Sequence, residues 1–238
     1  MTHFESHGVI FRLRFALTIL GLVGVLLVQE SSAFMGRRAH FRETISPRKE
    51  ANNSVTINLY YESLCPDCVD FISRKLCPLW EDMSNYLRID FVPYGNAETI
   101  VSKTGEISFE CQHGPPECEA NFIHDCALKH LSYKESIKFI CCMESRHSAH
   151  GTAEICAEEL EVDYAPIKTC AAGPEGIKLH YAYGQRTDKL VPSHEWVPWI
   201  LFNGQYNKED MDHAQDDLLS VLCKYIEDPK PTVCNEVY

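Results

Sequence analysis

The chain has 238 residues, 45% hydrophobic and 24% charged, which suits a folded protein with a real core and excludes a largely disordered one. A formal net charge of −12 argues against a nucleic-acid partner, because an acidic surface repels phosphates. Twelve cysteines give a cytosolic protein little purpose, so they point to an oxidising compartment, with zinc as the competing explanation.

At the N-terminus, Arg12 and Arg14 precede an apolar run over 15–28, and Ser31-Ser32-Ala33 supplies small residues for a signal peptidase. This pattern predicts a secretory signal over 1–33; the competing uncleaved anchor has a short span. No second span follows, so no stable membrane insertion is expected after cleavage. Residues 34–53 carry Arg37, Arg38, Arg42, Arg48 and Lys49 with no helical or strand period, and read as a leader or propeptide. Asn52-Asn53-Ser54 is a sequon, which makes Asn52 a candidate glycosylation site.

One domain is expected over 55–228, with a short tail over 229–238. Residues 55–61 are β-branched and aromatic and predict a strand. Cys65-Pro66-Asp67-Cys68 follows, and Pro66 suits a first helical turn. Val69, Ile72, Leu76 and Leu79 continue at helical spacing. A second alternating strand spans about 87–93. Strand, helix, strand at this spacing is a βαβ unit with parallel strands. From about 95 to 191 come Cys111, Cys118, Cys126, Cys141, Cys142, Cys156 and Cys170, with three helical patterns, so this stretch reads as a disulfide-stapled helical insertion. Residues 196–202 form an apolar strand containing Pro198. Asn203-Gly204 predicts a hairpin, with 205–207 pairing back. Met211, Leu218, Leu222 and Ile226 mark one closing helix.

Two cysteines two residues apart at a helix N-terminus suit redox chemistry. The unsatisfied N–H groups and the helix dipole favour the thiolate of Cys65, and Cys68 lies one turn on, placed to resolve a mixed disulfide. Asp67 opposes the thiolate by its charge. The competing readings are one more structural disulfide, or half a zinc site lacking a second suitable pair. Pro198 bears on the choice. A cis bond there would present the Val197 backbone to a substrate strand, whereas a trans edge-strand proline would carry no such meaning. Gln112, His113, Glu117 and Asn121 read as structural hydrogen-bonders holding the insertion to the active face rather than as catalysts. The pairs His124 and His130, and His147 and His150, read as solvated surface residues, with no metal and no bound organic cofactor expected. Cys77 reads as paired or free, and adjacent Cys141 and Cys142 are expected to take separate partners.

The segment Cys111-Gln112-His113-Gly114-Pro115-Pro116-Glu117-Cys118-Glu119-Ala120-Asn121, followed by Cys126, resembles the signature of the gamma-interferon-inducible lysosomal thiol reductases. The resemblance extends through Tyr60 to Cys68 and through His194 to Trp199. It implies an α/β thioredoxin-like fold with a disulfide-rich helical insertion. It also implies reduction of protein disulfides at acid pH in the endosomal–lysosomal system, with Cys65 and Cys68 as the active pair and a small thiol, cysteine or glutathione, as external reductant. A single sequon leaves lysosome and extracellular space both open. The competing functions are a disulfide oxidase or isomerase of the secretory pathway, and a non-enzymatic stapled binding protein. Asn235 to Tyr238 carries no endoplasmic-reticulum retention signal.

Overall fold

A computed structural model describes residues 53–236. The expected signal over 1–33, most of the leader and Asn52 lie outside the described residues.

The frame is a three-stranded sheet of order β2-β1-β5. Strand β1 (Val55–Tyr61) runs parallel to β2 (Leu87–Pro93), with Val55 opposite Leu87 and Tyr61 opposite Pro93. Strand β5 (Trp199–Phe202) lies antiparallel on the other edge of β1, with Tyr60 opposite Trp199. All four β5 residues are buried, and so are Val55, Ile57, Leu59, Tyr60 and Tyr61 of β1. Such a central strand needs apolar residues on both faces, which is why the alternation expected of a half-buried strand breaks down after Leu59.

The β1–β2 crossover is helical throughout, in three pieces. Helix α1 (Pro66–Asp70) passes into a π-helical turn over Phe71–Leu76 and then into α2 (Cys77–Met83). Pro78 explains the wide turn. A proline inside a helix has no N–H to donate and crowds the carbonyl one turn back, and widening that turn relieves both problems. Phe71, Ile72, Leu76, Trp80 and Met83 face the core.

Between β2 and β5 the chain forms more than helices. A hairpin, β3 (Glu98–Val101) with β4 (Ile107–Glu110), comes first. Five helices follow: α3 (Pro115–His130), α4 (Tyr133–Ser145), α5 (Thr152–Glu159), α6 (Tyr164–Ala171) and α7 (Pro174–Thr187). Helix α4 opens on a full capping box, with Ser132 and Glu135 each satisfying the other's backbone N–H. These helices enclose a second core containing Phe139, Met143, Ala157 and Ile167. Cys126–Cys170 and Cys142–Cys156 staple it, and Cys77–Cys141 ties α4 to the crossover helix. Cys77 is thus paired, and Cys141 and Cys142 do take separate partners.

The C-terminal part departs from expectation twice. Residues 205–207 do not form a strand. Only a single bridge joins Phe202 to Gln205, because the Asn207 side chain caps the next helix by accepting from the Asp210 N–H. The closing helix is also two helices, α8 (Lys208–Asp216) and α9 (Leu218–Tyr225). Asp217, at φ −136° and ψ 79°, breaks the run and caps α9 through the Ser220 N–H. Cys223–Cys234 secures the tail. Asn53 stitches the start of β1 to the same region through bonds to the Glu227 backbone. The result is a mixed α/β, thioredoxin-like fold carrying a helical insertion. Among the described residues, no helix is long and apolar enough to cross a membrane.

Candidate active site

Strand β1 ends at Tyr61 and delivers Glu62-Ser63-Leu64 to the mouth of α1, where Cys65 occupies the N-cap and Pro66 the first turn. Five disulfides account for ten cysteines, and Cys65 and Cys68 are the two free thiols. Cys65 is 8% exposed and Cys68 is fully buried. Only the first sulfur therefore meets an incoming molecule.

Their acidities diverge. The Cys65 thiol is lowered to about 6, chiefly by a hydrogen bond from the Cys68 thiol; burial works against this, and the backbone N–H groups of Cys68 and Asp67 assist. The Asp67 charge opposes the thiolate but is the smallest of these effects. Cys68 is pushed well above the ordinary thiol value by burial, by the bond it gives to Cys65 and by the Cys65 charge. One sulfur is an available nucleophile and its neighbour a protonated reserve.

The Val197–Pro198 bond is cis. It places the Val197 carbonyl 3.9 Å from the Cys65 sulfur, so the chain segment entering β5 lies directly against the thiol. Val197 and Pro198 thus join Cys65 at one place although they are more than 130 residues distant in sequence. Leu64, beside Cys65, also lines a groove of about 940 Å³ with Ala120, Ile123, Met143 and Tyr164.

The motif residues of 111–121 clasp the segment leading to Cys65. The Ser63 N–H donates to Asn121 Oδ1 at 3.0 Å, and the Ser63 hydroxyl to the Glu117 carbonyl at 3.4 Å. Asn96 Nδ2 donates to Gln112 Oε1 at 2.6 Å. Cys111–Cys118 closes the loop, and Gly114, at φ +82°, makes the left-handed turn into α3 that other residues resist. These contacts fit the structural reading of Gln112, His113, Glu117 and Asn121.

Two features were not apparent in the sequence. Glu62 is fully buried and forms a cluster with His113 and Glu117. His113 Nδ1 lies 2.5 Å from Glu117 Oε2 and 3.3 Å from Glu62 Oε2. Burial, opposed by the Asn96 N–H and reinforced by the Glu117 and Cys65 charges, raises Glu62 to about 7. Their ligand atoms all lie within 4.8 Å of one another, the spacing a cation site requires. His130, Cys170 and Glu175 lie as close together, but the Cys170 sulfur is already bonded to Cys126. The second feature is His124, which corrects the surface assignment made for it. It is wholly buried, hydrogen-bonded to the Tyr61 hydroxyl at 3.0 Å and 3.7 Å from Glu144, and burial lowers it to about 3. The 3.6-residue period of α3 turns it inward with Asn121 and Asp125, while His130, His147 and His150 remain exposed.

A thiolate that exchanges while its partner waits protonated, on this frame, is the working arrangement of the thiol–disulfide oxidoreductases, enzymes that act on disulfide bonds. Comparison with known proteins narrows the class. The family model described as Gamma interferon inducible lysosomal thiol reductase (GILT) matches residues 56–160. The gamma-interferon-inducible lysosomal thiol reductase of Carassius auratus is 38% identical over 184 residues, covering 76% of this chain and 72% of its own. That of Mus musculus is 37% identical, covering 77% and 73%, and GILT-like protein 1 of Drosophila melanogaster is 36% identical, covering 76% and 79%. Among solved structures, reduced DsbA from Mycobacterium tuberculosis aligns at a TM-score of 0.49 with 15% identity, covering 76% of this chain and 86% of its own. The chain belongs to the gamma-interferon-inducible lysosomal thiol reductase family.

Proposed function

We propose that this enzyme reduces disulfides in protein substrates, with Cys65 as nucleophile and Cys68 as resolving thiol. The Cys65 thiolate attacks a substrate disulfide and one substrate sulfur leaves as a thiol. Cys68 then attacks Cys65 Sγ in the mixed disulfide, freeing the second substrate thiol and leaving the Cys65–Cys68 disulfide. An external small thiol, cysteine or glutathione, restores the dithiol, so no bound cofactor is needed. The Val197 backbone beside the cis Pro198 pairs with the extended substrate strand.

The observation that carries this reading is the split between the two free thiols, with Cys65 lowered to about 6 and Cys68 raised. That split keeps part of Cys65 ionised in acid, where an ordinary thiol is almost wholly protonated. It supports work at acid pH, and with the sequence of 1–33 and the names of the relatives it supports an endosomal–lysosomal setting reached through the secretory pathway.

The test is reduction of insulin by the purified chain at pH 4.5 and pH 7, beside Cys65→Ser and Cys68→Ser. Activity at acid pH that vanishes in Cys65→Ser, with Cys68→Ser trapped as a mixed disulfide, is the expected result. Equal inertness of all three with several thiol donors would remove the reading.

A further inference from the structure

Two fully buried carboxylates, Glu62 and Glu117, meet beside the dithiol, and each has one oxygen already fixed. Glu62 Oε1 accepts from the Asn96 N–H at 2.6 Å, and Glu117 Oε1 accepts from the His113 N–H at 3.0 Å. Both remaining oxygens turn to one nitrogen. His113 Nδ1 lies 2.5 Å from Glu117 Oε2 and 3.3 Å from Glu62 Oε2. A ring nitrogen carries one proton or one lone pair, so it satisfies one acid and leaves the other. Glu62 Oε2 is the atom left over, buried without a hydrogen-bond partner, which is costly for a carboxylate.

The three groups are held in place from outside. Cys111–Cys118 closes the loop that carries His113 and Glu117, and Gln112, next to His113, accepts from the Asn96 side chain. Gly95 packs on Glu62 so closely that a Cβ there would lie 2.3 Å from Glu62 Cγ. Buried ligands oriented by outer hydrogen bonds are what a metal site needs. The spacing agrees. Zinc bonds of about 2.0–2.1 Å set tetrahedral ligand atoms about 3.3 Å apart, and His113 Nδ1 and Glu62 Oε2 already stand 3.3 Å apart. The closer His113–Glu117 pair would open by about 1 Å or less as its hydrogen bond gives way to metal bonds. Two carboxylates and a neutral imidazole match the charge of a divalent cation. The imidazole nitrogen selects zinc over calcium or magnesium, which take oxygen ligands. His113 is partly exposed and offers the way in.

We propose that Glu62, His113 and Glu117 bind a zinc ion through Glu62 Oε2, His113 Nδ1 and Glu117 Oε2, with water as the fourth ligand. The ion ties the end of β1, three residues ahead of Cys65, to the motif loop, and so braces the segment that enters α1. This revises the expectation of a chain without metal. Neither Cys65 nor Cys68 belongs to the cluster, and the site does not rest on the exchange chemistry proposed above. The other cluster of this spacing, His130, Cys170 and Glu175, is the weaker candidate, because its sulfur is spent in the Cys126 disulfide and its two remaining groups are exposed.

The experiment is a calorimetric titration with zinc chloride at pH 7, followed by thermal unfolding with and without the metal. A pair of free thiols binds zinc by itself, so the parent protein carries Cys65→Ser and Cys68→Ser, keeps its structural disulfides and is first stripped with a chelator. The parent should take up about one zinc per chain and unfold at a higher temperature with zinc present. Glu62→Gln and His113→Ala should each lose that equivalent and the thermal shift, while His130→Ala, in the other cluster, keeps both. A parent that binds no zinc overturns the proposal and leaves a proton as the occupant of the cluster. An equivalent that survives His113→Ala, or is lost in His130→Ala, also overturns it by assigning the metal to other histidines. His113 is partly exposed, so His113→Ala decides the question if Glu62→Gln does not fold. Parent and variants lack the dithiol by construction, so failed insulin reduction and failed zinc binding are separate results.

Discussion

Removing the Cys68 thiol tests the origin of Cys65 reactivity. At about 6, Cys65 is about 9% thiolate at pH 5, whereas free cysteine near 8.5 is about 0.03% thiolate, a ratio of about 300. Lower basicity makes each thiolate less nucleophilic, by about 10- to 18-fold across ~2.5 pKa units at a Brønsted slope of ~0.4–0.5. The net advantage over free cysteine is about 20- to 30-fold at pH 5 and shrinks to about twofold at pH 7. The hydrogen bond from Cys68 is the largest effect lowering Cys65, and a bond to a charged group contributes about 1.5–3 kcal/mol. Cys68→Ala should then raise the Cys65 titration by about one to two units and slow its reaction at pH 5 by about 3- to 12-fold. Stopped-flow reaction with a dithiodipyridine reagent from pH 4 to pH 9 reads both quantities, with free cysteine alongside. Wild type no faster than free cysteine at pH 5, or Cys68→Ala as fast as wild type, would refute the argument.

Two further outcomes follow from the buried acid cluster. A Cβ at Gly95, where φ is +58°, would lie 2.3 Å from Glu62 Cγ, and Glu62 is clamped by Asn96 and has no room to retreat. Gly95→Ala should lower stability by about 1–3 kcal/mol in urea unfolding, and an unchanged midpoint would contradict the packing described. Stability should also depend on pH through Glu62. Its folded value of about 7 exceeds the usual 4.5, so its contribution is complete below about 4.5 and is lost as pH rises toward 7. Between about 6 and 9, Cys65, depressed on folding, acts in the opposite direction, so the clean comparison uses Cys65→Ser. In that background, adding Glu62→Gln should shift the change in urea midpoint between pH 5 and pH 7 toward greater stability at pH 7, since His124, lowered to about 3 by burial, contributes equally to both variants; an identical change in the two would contradict the assignment.

The parts legible in the sequence were those with strong local signals: the β1-helix-β2 unit, the Cys65–Cys68 pair, Pro198 and the cysteine-rich helices. The β3–β4 hairpin escaped because Glu98–Val101 and Ile107–Glu110 leave most residues exposed and lack a buried alternating face. The break at Asp217 escaped because α8 and α9 bury residues on a continuous helical pattern, and only the cap at Ser220 marks the joint. Helices α6 and α7 are short of apolar periodicity, since α7 buries Gly176, His180, Gly184 and Thr187 rather than aliphatic residues. Glu62 and His124 were hidden for a different reason. A polar residue in a strand end or helix reads as solvated unless the partners that enclose it are known, and His113 and Tyr61 are 51 and 63 residues away from them.

The Cys77–Cys141 link imposes an order of events during synthesis. Its partners are separated by 64 residues, and at about 5–20 residues per second the ribosome needs roughly 3–13 s to deliver the second after the first. Throughout that delay Cys77 is within twelve positions of the most acidic thiol in the site, and Cys111, Cys118 and Cys126 all emerge before Cys141. An oxidant acting on the growing chain therefore finds the nearer and wrong partners first. Correct pairing waits on helix α4, whose arrival must draw Cys77 away and leave Cys65 and Cys68 to each other.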